Sequence, residues 1–238
     1  MNTGKLSLLN YLKEDIAYKR FQDRKDIKVS SLETLAILTA LSFHERERKM
    51  FFLFSNLGEA TAFNQFLGDY LSEDELYFFP HDDLFHLSSL GVSFEMKDER
   101  MLALSSSLSS SKSIMISHVS ACKLNISSKE EYVKRSLVLK RGEMYSMDEI
   151  ISSFLKAGYI SIDHIKQSGQ YAKRGMIIDI FDPTKKDPVR IEFFGDEIES
   201  IRFFNMEDER SFKEIDEVTI YPSTIRLLND KSKNILNE

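Results

Sequence analysis

The sequence predicts an α/β chain in two parts: a degenerate, P-loop-NTPase-like parallel-sheet domain, then a small α+β domain built on an antiparallel sheet. Three observations lead there. Over residues 1–127 short apolar runs alternate with helical periods, as strands and helices do in a parallel, doubly wound sheet. After about residue 128 the extended runs are separated by short turns, which can join only antiparallel neighbours. The phosphate cradle of a working nucleotide-binding fold is missing where the first strand-to-helix passage is expected. The predicted domains are 1–127 and 128–222, with 223–238 beginning a return segment towards the first.

In the first domain, Leu8, Leu9, Leu12, Ile16 and Phe21 keep a helical period, so Leu6 to Phe21 is an amphipathic helix. Ser30 with Glu33 has the spacing of a capping box, and a helix is expected to start near Ser30. Strands are expected at Lys49 to Ser55, Leu76 to Phe79 and Ser113 to Ser117, with helices at Gly58 to Leu71 and Phe94 to Leu108. Seven serines among Ser105 to Ser113 read as a polar loop capping the last of these helices, or as a flexible linker.

In the second domain, Ser136 to Lys140 is extended and Ser146 with Glu149 repeats the capping-box spacing ahead of a helix to Lys156. Three extended runs follow, Gly169 to Phe181, Val189 to Phe194 and Glu197 to Phe204, joined by Asp182-Pro183-Thr184 and Gly195-Asp196. A small meander with a helix packed on it results.

Composition narrows the function. The 238 residues are 42% hydrophobic and include 18 Phe, enough to fill real cores. One cysteine, Cys122, rules out an intrachain disulfide framework and suits a cytoplasmic protein. Met1 to Lys13 has no signal-peptide pattern, and the apolar runs are too short to cross a membrane. The net charge is −6, and residues 128–222 hold 15 Lys or Arg against 19 Asp or Glu, so no cationic surface for nucleic acid stands out.

The candidate chemistry is thin. Val29 to Ala36 offers Ser30, Ser31, Leu32 and Glu33 but neither glycine nor lysine, and Glu33 would compete with a phosphate for the helix amino terminus. His81, Asp82, Asp83 and His86 could ligate a metal, but they follow Pro80 in a loop and read better as a cap or solvated turn. His118 and Cys122 form a weak nucleophile pair with no accompanying acid or oxyanion loop. No catalytic residue, metal or cofactor is expected.

A binding surface is more visible. Val189 to Phe194 alternates, with Val189, Ile191 and Phe193 on a core face and Arg190, Glu192 and Phe194 on the other. Phe194 either points outward beside Arg190, as interface residues do, or turns inward through a bulge at Gly195-Asp196. Arg174 shares parity with Met176, Ile178 and Ile180, so a regular strand would aim it at the core unless a bulge at Gly175 turns it out.

The run from Gly169 to Phe181, continued by Pro188 to Arg202, closely resembles the second domain shared by UvrB and the bacterial transcription-repair-coupling factors. More weakly, Tyr77-Phe78-Phe79-Pro80, Asp83, Glu99-Arg100 and Val119-Ser120-Ala121 look like that family's first domain, and Glu217 to Pro222 like the return from the second. Ser30-Ser31 departs from the glycine the family often keeps. UvrB has a working P-loop and a long aromatic hairpin; the coupling factors have neither, and here Pro80 leads by a short loop to the helix near Phe94.

The resemblance implies a non-catalytic docking module of transcription-coupled nucleotide excision repair, recruiting UvrA to stalled RNA polymerase. Arg174 and Arg190 would donate to acidic partner groups, with Phe194 as a buried anchor between them. It also implies a fragment of a longer ATP-dependent DNA translocase, whose contacts to RNA polymerase and DNA lie in other parts. A nucleotide-dependent hydrolase and a purely structural domain are the competing readings.

Overall fold

The structure, a computed structural model, describes residues 16–23, 26–81 and 94–227. Contacts divide these between two units, one from the spans Met1–Gly91 and Ser106–Lys123, the other from Val92–Ser105 and Leu124–Glu238. Most of the expected first helix, together with Asp82, Asp83, His86 and the loop leading to Phe94, lies outside the described residues.

In the first unit, helix α1 (Ile16–Gln22) precedes α2 (Leu32–Glu45). The cap of α2 is Ser31 rather than Ser30: its backbone is extended and its hydroxyl accepts the Thr34 N–H at 3.3 Å. No strand is found at residues 26–31, so the first described strand is β1 (Lys49–Phe54), followed by α3 (Leu57–Gly68). Then come β2 (Leu76–Phe79), α4 (Phe94–Ser109), of which only Ser106–Ser109 belongs to this unit and the rest to the second, β3 (Ser113–His118) and a 3-10 turn (Val119–Lys123). The strands form a parallel sheet in the order β1-β3-β2.

Alternation along β1 explains the packing. Met50, Phe52 and Phe54 join Ala36, Ala40 and Phe43 of α2 and Ala60, Phe63 and Leu67 of α3 in one cluster. Phe63 lies 4.9 Å from the Phe52 ring and 5.0 Å from the Phe54 ring. Both helices therefore cover the same face of β1, whereas a doubly wound sheet has helices on both, and Phe51 and Leu53 on the opposite face are exposed. The serine run is not simply a loop: α4 continues to Ser109, and Ser105 Oγ is satisfied by the Leu102 carbonyl at 2.9 Å.

The second unit holds α5 (Lys129–Arg135), β4 (Leu137–Lys140), α6 (Met147–Lys156), and seven more strands. These are β5 (Ile160–Ser161), β6 (Gln170–Arg174), β7 (Ile177–Ile180), β8 (Val189–Phe194), β9 (Glu197–Phe204), β10 (Ser211–Ile215) and β11 (Glu217–Ile220). Ser146 caps α6 as the capping-box spacing predicts, accepting the Glu149 N–H.

The meander is a six-stranded sheet in the order β10-β9-β8-β7-β6-β5, antiparallel except for the short β5–β6 pair. A separate antiparallel pair joins β11 to β4. Ile150 and Phe154 of α6 bury the inner face against Tyr171, Ile178, Ile180, Val189, Ile191, Phe193, Ile198 and Ile201. The opposite face of the sheet carries the polar residues. The fold is thus mixed α/β, with one parallel sheet and two largely or wholly antiparallel ones. No helix among the described residues is long and apolar enough to cross a membrane.

Candidate partner-binding face

The segment expected as one strand from Gly169 to Phe181 is two. β6 ends at Arg174, Gly175 and Met176 form the loop, and Arg174 pairs across it with Ile177. Gly175 sits at φ +62°, the first position of a two-residue hairpin turn that glycine enters without a steric penalty. The chain reverses there instead of bulging. Parity counted through Gly175 therefore fails: Arg174 lies with Ala172 and Asp179 on the outer face, while Ile178 and Ile180 face the core.

Asp179 organises that face. It pairs with Ala172 on β6 and with Arg190 on β8, and is only 2% exposed. A carboxylate so placed is costly unless cations and donors surround it. Arg174 Nη2 donates to its Oδ2 at 2.6 Å, Arg190 Nε to Oδ1 at 2.7 Å and Arg190 Nη2 to Oδ2 at 3.0 Å. These bonds raise the pKa of both arginines against the opposing effect of burial, so both remain cationic.

The arginines differ in access. Arg190 is 14% exposed at its side chain and stacks over the Phe204 ring, 4.6 Å from its centroid. Arg174 is 37% exposed. Both also reach the β9–β10 loop: Arg174 Nη1 donates to Glu209 Oε2 at 3.3 Å and Arg190 Nη1 to the Glu209 carbonyl at 3.2 Å. His164 Nδ1 faces Glu209 Oε1 at 3.3 Å. The Arg174 hydrogen bond, then that of His164, lowers the Glu209 pKa below the ordinary glutamate value.

Phe194 points outward and is 78% exposed. A register shift does occur beside it, between the Glu192–Ser200 and Phe193–Ile198 pairs, but the extra residue is Glu199 on β9. The alternation of β8 is therefore kept to its end, and Gly195 at φ +65° turns the chain. Phe194 stands four residues beyond Arg190, roughly 13 Å along the strand, not between the two arginines. Next to it on the same face come Glu197 and then Met144, which bridges to Glu197 and is itself exposed.

The other candidates have structural employment or lie outside the described residues. His81 is buried and its N–H donates to His118 Nε2 at 3.0 Å, which engages that ring nitrogen as an acceptor. Cys122 is exposed whereas His118 is buried. Among the described residues no group of three His, Cys, Asp or Glu could hold a metal ion.

Asp179, Phe204 and Glu209 did not emerge from the sequence reading. Asp179 had a signal: it is a lone carboxylate between Ile178 and Ile180, and a charge in an apolar strand calls for a cation across the ladder. Glu209, 35 residues from Arg174, had none.

Residues 137–225, which include this face, match the family described as the UvrB interaction domain. The chain is 28% identical over 229 residues to the transcription-repair-coupling factor of Staphylococcus haemolyticus (strain JCSC1435), covering 93% of this chain and 19% of that protein. It is 27% identical over 239 residues to that of Staphylococcus aureus (strain bovine RF122 / ET3-1), covering 97% and 20%. For Bacillus subtilis (strain 168) it is 25% identical over 198 residues, covering 83% and 17%. The chain thus spans about a fifth of the length of these curated relatives.

Proposed function

We propose, from the match of residues 137–225 to the UvrB interaction domain and the similarity of the chain to transcription-repair-coupling factors, that it docks UvrA in transcription-coupled nucleotide excision repair. In this reading residues 128–222 are the docking domain, and recruitment to stalled RNA polymerase requires no catalysis by this part. ATP-driven translocation on DNA and polymerase contact belong to the remaining length of the relatives. The place of action is the cytoplasm.

The observation that carries the reading is a face of positioned arginines and exposed aromatic surface on an antiparallel sheet. Arg174 and Arg190 are held by one buried carboxylate, and the exposed Phe194 extends the same surface. Arginine and phenylalanine are enriched at protein interfaces, where arginine's planar fork matches carboxylates. Preorganisation by Asp179 lowers the entropy lost when a partner binds.

The first unit is read as a degenerate nucleotide-binding fold. Its β1–α3 passage is capped by its own side chains: Asn56 accepts the Glu59 N–H at 2.9 Å, and Ser55 Oγ donates to the Glu59 carboxylate at 2.8 Å. An acidic group at this helix amino terminus supports the reading, since it opposes phosphate binding there.

The test is the affinity of purified UvrA for the 238-residue chain and for Phe194→Ala and Arg190→Ala. Phe194→Ala should weaken binding by at least about 2 kcal/mol, the loss typical of an interface anchor. Its effect on folding stability should stay within about 0.5 kcal/mol, as for other surface changes. Unchanged UvrA binding by both folded variants would exclude this face.

A further inference from the structure

The β9–β10 loop is shaped to return one residue onto the arginine pair. Asn205 Oδ1 accepts the Glu207 N–H at 2.7 Å, Asp208 Oδ1 accepts the Arg210 N–H at 3.0 Å, and the Asn205 N–H donates to the Arg210 carbonyl at 3.0 Å. Between these bonds Glu209 adopts φ 56°, the only positive φ among described non-glycine residues. L side chains enter that region at a cost, which the surrounding contacts must offset. Its carboxylate meets Arg174 and its carbonyl meets Arg190. One residue thus occupies an outward donor of each arginine, with the acceptor types an acidic peptide would bring.

We propose that Glu209 is an intramolecular stand-in for a partner carboxylate, a latch over Arg174 and Arg190 that the partner's acidic side chain displaces. This rests on the docking reading above. The two carboxylates on the arginines have different tasks. Asp179 is buried and bound at 2.6–3.0 Å, so it positions the guanidinium groups and stays. Glu209 is half-exposed and bound at 3.3 Å, an ion pair of the weak class that solvent and a competing carboxylate can replace. Its release would free a donor on Arg174 and one on Arg190 together.

The experiment compares purified UvrA binding to the full chain carrying Glu209→Gln or Glu207→Gln. Each removes one negative charge from the same loop, but only Glu209 is bonded to the arginines. Glu209→Gln should tighten binding about three- to fivefold, the range open to an exposed pair, and Glu207→Gln should do clearly less. Glu209→Gly, which suits the positive φ and deletes the carboxylate, should give the same gain, and adding Arg174→Ala should remove it. Equal effects of the two glutamine variants, or no gain from Glu209→Gln, overturn the latch and leave the docking reading intact as long as Arg190→Ala and Phe194→Ala still weaken binding. If those two bind normally, this face is excluded as the docking surface and the latch falls with it. A partner-free measurement reads the contact itself: in the chain alone, Arg174→Ala should raise the Glu209 carboxyl pKa towards the ordinary value, followed by carbon NMR. No rise overturns the latch whatever UvrA does.

Discussion

Replacing Asp179 by asparagine should be among the most damaging isosteric changes in the second unit. The side chain keeps its shape and one acceptor oxygen, but it loses its charge and turns an NH2 group towards a guanidinium. Three charge-assisted bonds at 2.6, 2.7 and 3.0 Å converge on this group. At about 1.5–3 kcal/mol each they cannot simply be summed, because they share one carboxylate. Removing one partner from a buried ion pair costs about 3–5 kcal/mol, and Asp179→Asn should fall near about 3. The comparison is Glu192→Gln, which weakens the pair with Arg202. Those side chains are 27% and 33% exposed, and such a pair contributes up to about 1 kcal/mol. The chain has no tryptophan, so urea unfolding is best followed by circular dichroism. With a slope of about 1–3 kcal/mol per molar, Asp179→Asn should lower the midpoint of the second unit by about 1–3 M. A shift no larger than that of Glu192→Gln would refute the claim that one buried carboxylate holds both arginines.

Two further outcomes follow from the same unit. Gly158→Ala should destabilise more than Gly175→Ala: both positions have positive φ, costing alanine about 1–2 kcal/mol, but a Cβ on Gly158 would lie 2.6 Å from Thr224 Cγ2 and one on Gly175 would meet nothing within 4 Å. Thr224→Ser, which deletes that methyl group, should recover part of the difference in the same urea assay. Burial raises the Asp98 pKa despite the Ser168 hydroxyl donating to both of its oxygens at 2.6 Å. A raised folded pKa means that the stabilising contribution is complete below the unfolded value of about 3.9 and is lost as pH rises through the folded value. Asp98→Asn should therefore gain on the wild type across that rise, and a difference independent of pH would count against it.

Much of the architecture was legible because it is written locally. The Ser146–Glu149 spacing marks the start of α6, and the alternation of β8 already separates Ile191 and Phe193 from Arg190 and Glu192. The Gly169 to Arg202 run also carried the likeness to UvrB and the coupling factors, and the match over residues 137–225 agrees with it. Capping and alternation act over a few residues, so a single strand or turn of sequence displays them.

What tertiary structure decided involves pairing across the chain. The reversal at Gly175 put Arg174 on the outer face although its sequence parity pointed inward. The bulge at Glu199 left β8 regular, and so Phe194 exposed. Asp179 became the centre of the face only when β7 came into register with β8, bringing Arg190 opposite it. Glu209 reached the arginines only through closure of the β9–β10 loop. By itself, the sequence determined which residues carry charge, aromatic surface and turn propensity. Strand register and loop closure decided which of them meet, because those contacts depend on pairings far apart in the chain.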